Sequence, residues 1–197
     1  MKKLLLVAAF AMFGLVGTAA AAPPQSLSCF GELPATCEVT QNSGAQLNTS
    51  AGGYTGVYLA GKNFQTAVQN QLISRVDFSF GYYCDDNTLD KTSCVSGGAP
   101  SYRIPISTDG QSKTTELYAV IDAANCDYTG TVSTNASNCE VFFLGGTGAG
   151  GATSYANWDA FAAANPTWVV SKDIPFIIQD VSTPTDVILY GVSATRS

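Results

Sequence analysis

"ISRVDFSFGYYC", residues 73–84, alternates with a period of two. Val76, Phe78, Phe80 and Tyr82 point one way, and Arg75, Asp77 and Ser79 point the other. Successive side chains of a strand face opposite sides, so this is the pattern of a half-buried strand whose aromatic edge lines a core. "TTELYAVIDA" (114–123) alternates less strictly, with Leu117, Ala119 and Ile121 on the expected core face. Further short runs are rich in Val, Ile, Tyr and Phe: "YTGVYLAG", "SYRIPIS", "CEVFFLG", "TWVVS", "PFIIQD" and "TDVILYGVSA". Gly, Pro, Asn, Asp and Ser punctuate them, as turns require.

About eight such strands without alternating helices predict an all-β fold, an antiparallel β-sandwich of jelly-roll type. Pro105 and Pro175 are expected at strand edges or bulges, because proline cannot donate to a ladder. One short helix is expected near 154–165, in "SYANWDAFAAANP". Ser154 caps it, Pro166 stops it, and Trp158, Phe161 and Ala162 share the face that packs on the sandwich.

"VFFLGGTGAGGATSYANWDAF" (141–161) offers a competing reading. Gly146, Gly148 and Gly151 spell G-x-G-x-x-G, and Asp173 follows some twenty residues later. That fingerprint works only where it joins the first strand of a parallel sheet to a helix whose N-terminus meets a pyrophosphate. Here it comes late, after a succession of strands, and too few residues remain to complete such a sheet. No Gly-Lys-Ser/Thr follows, so it is not a phosphate-binding P-loop either. The stretch reads as a glycine loop entering a capped helix.

Residues 1–22 have the layout of a secretory signal peptide: Lys2 and Lys3, an apolar run, then small residues around Ala20 to Ala22. Residues 23–197 are then one β-sandwich domain, secreted or periplasmic, with no membrane span after cleavage. At that size a single domain buries roughly 70% of its extended surface. Without Lys2 and Lys3, seven basic residues face fifteen acidic ones, a net charge of −8. Such a surface repels phosphate backbones and anionic headgroups, which argues against nucleic acid as a partner.

The six cysteines fall into three neighbouring couples, Cys29 with Cys37, Cys84 with Cys94, and Cys126 with Cys139. Short contours close at little entropic cost, so sequential pairing is expected, each bridge stapling one loop. Neither C-x-x-C pairs nor histidines are present to make a zinc site.

The chain has no histidine at all. Serine or cysteine nucleophiles activated by histidine are excluded, as are histidine metal ligands. Paired cysteines supply no thiolate. What remains is carboxylate chemistry, and no cofactor is called for beyond a calcium candidate. "CDDNTLDKTSC" (84–94) is the densest acidic segment, and Asp85, Asp86 and Asp90 are hard oxygen ligands of the kind calcium takes, although the EF-hand spacing is missing.

Aromatics are the other candidates. Tyr82, Tyr118 and Tyr190 lie in strands and are expected in the core. Tyr128, beside Asp127 in the third cysteine loop, and Tyr155, after the glycine loop, are expected at the rim. There an exposed ring beside polar groups suits a sugar. The leading expectation is therefore a secreted, non-catalytic β-sandwich that binds extracellular carbohydrate or another surface ligand through Tyr128, Tyr155 and Asp127. A carboxylate-dependent polysaccharide hydrolase and a structural subunit of an extracellular layer or appendage are the alternatives.

Overall fold

The computed structural model describes residues 26–40, 44–85, 92–95, 99–180 and 186–197. Residues 1–22, expected from the sequence to be a signal peptide, lie outside them. The described residues form two antiparallel sheets. The larger runs β1 (Ser28–Gly31), β4 (Thr55–Tyr58), β12 (Phe176–Gln179), β6 (Ser101–Ser107), β7 (Leu117–Asp122), β9 (Val141–Leu144) and β10 (Ser154–Tyr155), with β11 (Val169–Val170) also paired to β6. The smaller runs β2 (Thr36–Thr40), β3 (Gly44–Asn48), β13 (Asp186–Arg196), β5 (Val76–Cys84) and β8 (Thr131–Ser133).

The period-two reading of 73–84 decides which faces meet. Phe78, Phe80 and Tyr82 of β5 are buried, and so are Tyr102, Ile104 and Ile106 of β6 in the opposite sheet. Tyr102 meets Phe78 edge-on at 5.3 Å between ring centroids and Phe80 at 5.7 Å. Its hydroxyl donates to the Ser193 carbonyl of β13 at 3.0 Å, so one side chain ties the sheets by both packing and a hydrogen bond. Aromatic pairs of this kind add about 0.5–1.5 kcal/mol beyond the area they bury.

Among the described residues two short α-helices close the sandwich, one more than the sequence suggests. α1 (Lys62–Val68) buries Phe64 and Val68. α2 (Trp158–Ala164) buries Trp158, Phe161 and Ala162, the stripe expected from its sequence. Its cap is Asn157, whose side chain accepts from Ala160 N–H at 2.9 Å, while Ser154 belongs to β10. Asn157 satisfies an orphan helix donor as Ser154 was expected to, three residues further on.

The glycine loop lies between β9 and the edge strand β10, in a sheet whose ladders are all antiparallel. It therefore has no parallel strand to serve, and the dinucleotide reading fails on topology. Pro105 sits in an interior strand and not at an edge. β12 pairs with Ser101–Arg103 and β11 with Ile106–Ser107, so Pro105 falls in the gap where β6 changes partner. A missing N–H costs no ladder bond there. Pro175 immediately precedes β12.

The three disulfides pair sequentially, Cys29–Cys37, Cys84–Cys94 and Cys126–Cys139, with Cα separations of 5.7, 5.3 and 4.2 Å. The first joins β1 of the larger sheet to β2 of the smaller. The other two are fully buried at the sandwich ends.

Gly56 of β4 has a specific reason to be glycine. A Cβ there would stand 2.2 Å from the Ile177 carbonyl oxygen and 2.6 Å from the Phe30 ring. The ring can turn away, but the paired backbone of β12 cannot. Gly56→Ala is expected to cost about 1–3 kcal/mol, as overpacking does. A urea midpoint unchanged from the parent chain would show that the β4–β12 ladder yields freely.

Candidate functional site

The sequence-derived site residues are not gathered in one place. Asp127 and Tyr128 are adjacent, both with left-handed backbone (φ 55° and 54°), in the turn that precedes β8. Tyr128 is exposed, and Asp127 accepts from Asn138 Nδ2 at 3.1 Å. Tyr155 lies elsewhere, on β10. Its ring packs against Phe143 and Phe161 at 5.9 and 5.7 Å and lies over Gly148, whose Cβ position would be 2.5 Å away. Much of its face is thereby committed to packing.

Of the acidic loop, Asp86 and Asp90 lie outside the described residues. Asp85 accepts from Gln46 Nε2 at 3.0 Å, and its backbone N–H donates to the Asp186 carbonyl. Desolvation first, then the Asp85 charge, raise the Asp186 carboxyl above its usual range. Among the described residues, no three His, Cys, Asp or Glu side chains are grouped as metal ligands.

The structure assembles a different set of aromatics. On β1, β4, β12 and β7, the residues on the outer face of the larger sheet include Phe30, Tyr58, Phe176 and Tyr118. Register explains their convergence: Phe176 pairs with Tyr58, and Phe30 pairs with Gly56 one row along. Centroid separations are 4.4 Å for Phe30–Tyr58, 5.7 Å for Tyr58–Phe176 and 5.8 Å for Phe176–Tyr118. The inward partners Val57, Ala119 and Ile177 are fully buried, so the rings stand on a rigid base.

Three of these rings border a cleft of about 560 Å³, lined also by Gln65 of α1, Gln69 just past its end, Lys172, Asp173 and Ile174. That size falls within the usual range of small-ligand clefts, about 300–1,000 Å³. Asp173 is fixed from below, accepting from Thr115 Oγ1 at 2.6 Å. Burial raises the Tyr118 hydroxyl above its ordinary pKa, and the Asp173 carboxylate and Tyr58 add to the shift. Gln65 and Gln69 each spend their amide nitrogen on a backbone carbonyl, of Ala60 and Lys172 respectively. Among the described residues nothing donates to either amide oxygen. The cleft thus combines aromatic carbon with several hydrogen-bond acceptors and one lysine.

Tyr118 and Tyr190 correct the sequence expectation, since only Tyr82 of the three strand tyrosines is in the core. Tyr190 is exposed on the smaller sheet, its ring lying over Gly81. The alternation that sends Leu117 and Ala119 inward necessarily sends Tyr118 outward. That signal is present in the sequence, in the alternation itself.

A second cleft, of about 540 Å³, lies between α2 and the start of β5. Asp77 and Asp159 both line it, beside Trp158 and Asn135. Trp158 is held by its indole N–H, which donates to the Ile73 carbonyl at 2.9 Å.

No protein-family model, curated protein or solved structure matches the chain. Fold and covalent frame define its class as a disulfide-stapled, all-β antiparallel sandwich. Three disulfides are compatible with an extracellular or periplasmic location. No helix among the described residues is long and apolar enough to cross a membrane.

Proposed function

We propose that the protein is an exported, non-catalytic carbohydrate-binding β-sandwich whose site is the aromatic cleft on the larger sheet. The observation that carries this reading is the convergence of Tyr58, Tyr118 and Phe176 with Asp173, Gln65 and Gln69 around one cleft. A pyranose presents axial C–H bonds on its faces and hydroxyls around its rim. Aromatic rings take the first, and acceptors fixed by neighbouring hydrogen bonds take the second. The acceptors outnumber the single lysine, and the net charge is negative, so neutral sugars fit better than anionic ones.

Affinity electrophoresis through gels carrying soluble neutral polysaccharides tests the reading. Tyr58→Ala and Asp173→Asn are each expected to weaken retention about tenfold, the loss of roughly 1.4 kcal/mol. Tyr128→Ala is expected to change it less than twofold, because that ring lies outside the cleft. Equal retention of the parent chain and the Tyr58→Ala variant would move the site elsewhere.

The hydrolase reading has one supporting observation, the shared cleft of Asp77 and Asp159. Glycoside hydrolysis needs one of two facing carboxyls held as a general acid out of bulk water. Asp159 is exposed. Reducing-sugar release from a polysaccharide panel, lost in Asp77→Asn, would raise this reading above binding alone.

A further inference from the structure

We infer that the aromatic cleft takes a short segment of a single, soluble glycan chain and not the face of a crystalline polymer; this rests on the carbohydrate reading above. The geometry of the rings points there. A flat crystal face can be covered only by rings lying in one plane. Phe176 stands at 67° to both Tyr58 and Tyr118 and at 87° to Phe30, and even Phe30 and Tyr58 are tilted by 36°. None of the four pairs of rings in contact is coplanar, so a planar surface cannot lie flat on any two neighbouring rings.

The surroundings agree with the angles. Phe176 and Tyr118 are only half exposed, and Gln65, Gln69 and Asp173 line the same cleft beside them. A concave site of this kind admits a chain whose successive sugars can turn relative to one another. Each sugar then lies against a differently inclined ring and offers its hydroxyls to the walls. A crystal face, whose chains are locked in register, can neither enter nor twist. The extent of the cluster, two successive ring separations of 5.7 and 5.8 Å, limits the bound segment to a few sugars.

The test uses the purified full chain and two kinds of probe. Calorimetric titration with cello-, chito-, xylo- and manno-oligosaccharides measures affinity against chain length. Depletion by microcrystalline cellulose and crystalline chitin measures surface adsorption, with Tyr58→Ala and Asp173→Asn as controls for the cleft. The expected result is binding of at least one oligosaccharide series, rising tenfold or more from mono- to trisaccharide and then levelling, with crystalline polymers removing parent and variants alike. Adsorption to a crystalline polymer that Tyr58→Ala abolishes, without binding of soluble oligosaccharides, would overturn the inference while leaving carbohydrate binding standing. A monosaccharide bound as tightly as its trimer would overturn it too. Binding to none of the probes would overturn both readings together.

Discussion

Tyr102→Ala is expected to lower the stability of the fold by about 3–5 kcal/mol, the range for removing a large aromatic from a packed interior. The ring is fully buried between β5 and β6 and touches both Phe78 and Phe80. Its removal leaves a cavity bounded by two rigid sheets, which cannot collapse easily. Tyr102→Phe keeps the ring but leaves the Ser193 carbonyl without its donor, so the expected loss is only about 1 kcal/mol. Urea unfolding of both variants separates the terms, and equal losses would mean that packing contributes little.

The same residue gives the stability a signature in alkali. Burial raises the Tyr102 hydroxyl well above its ordinary value of 10.0 in the folded chain. Below about pH 10, folded and unfolded chains both carry it protonated and its contribution is complete. Above that, the unfolded chain ionises first, so stability falls as pH rises toward the folded value. Tyr102→Phe should flatten this fall. The half-exposed Tyr118, shifted in the same direction, contributes the smaller remainder.

Removing the Cys84–Cys94 bridge by double alanine substitution is the second large effect, expected at about 2–4 kcal/mol. Closing a loop of this length accounts for about 2.5–3 kcal/mol in the chain-entropy description. Both sulfurs are also buried in the core, and Cys94 N–H lies 2.9 Å from Cys84 Sγ. The bridge anchors the end of β5 beside Gln179, whose amide donates to the Cys94 carbonyl at 3.0 Å. The more exposed Cys29–Cys37 bridge is expected to cost less when removed, because it ties edge strands and fills no core position. Thermal melts rank the two, and a larger loss from Cys29–Cys37 would reverse the assignment of which staple the core depends on.

The sandwich was legible because its signal is local. The alternation over 76–82 names the core face of β5 without knowledge of any partner, and the cysteine couples pair over short contours. Strand boundaries and the α1 helix were less legible. "KNFQTAV" lacks an acidic first turn or a side-chain cap, and its helix is held by burying Phe64 and Val68. The interior position of Pro105 is not legible in the sequence, because a gap between two partner strands is a tertiary feature. The cleft was hidden for a related reason. Its three rings come from β4, β7 and β12, far apart in sequence, and only the register of those strands across β6 brings them together. Tyr128 stood out by local context alone, and local context does not report which aromatics share a face.

Chemical-shift mapping by nuclear magnetic resonance tests the central claim most directly. The isotope-labelled full chain would be titrated with the oligosaccharide that calorimetry identifies as the tightest. Amide shifts are expected to cluster at Phe30, Tyr58, Gln65, Gln69, Tyr118 and 172–176, with Asp127, Tyr128 and Tyr155 unmoved. Shifts centred on 127–128 or on Tyr155, with the cleft silent, would contradict the assignment of the site.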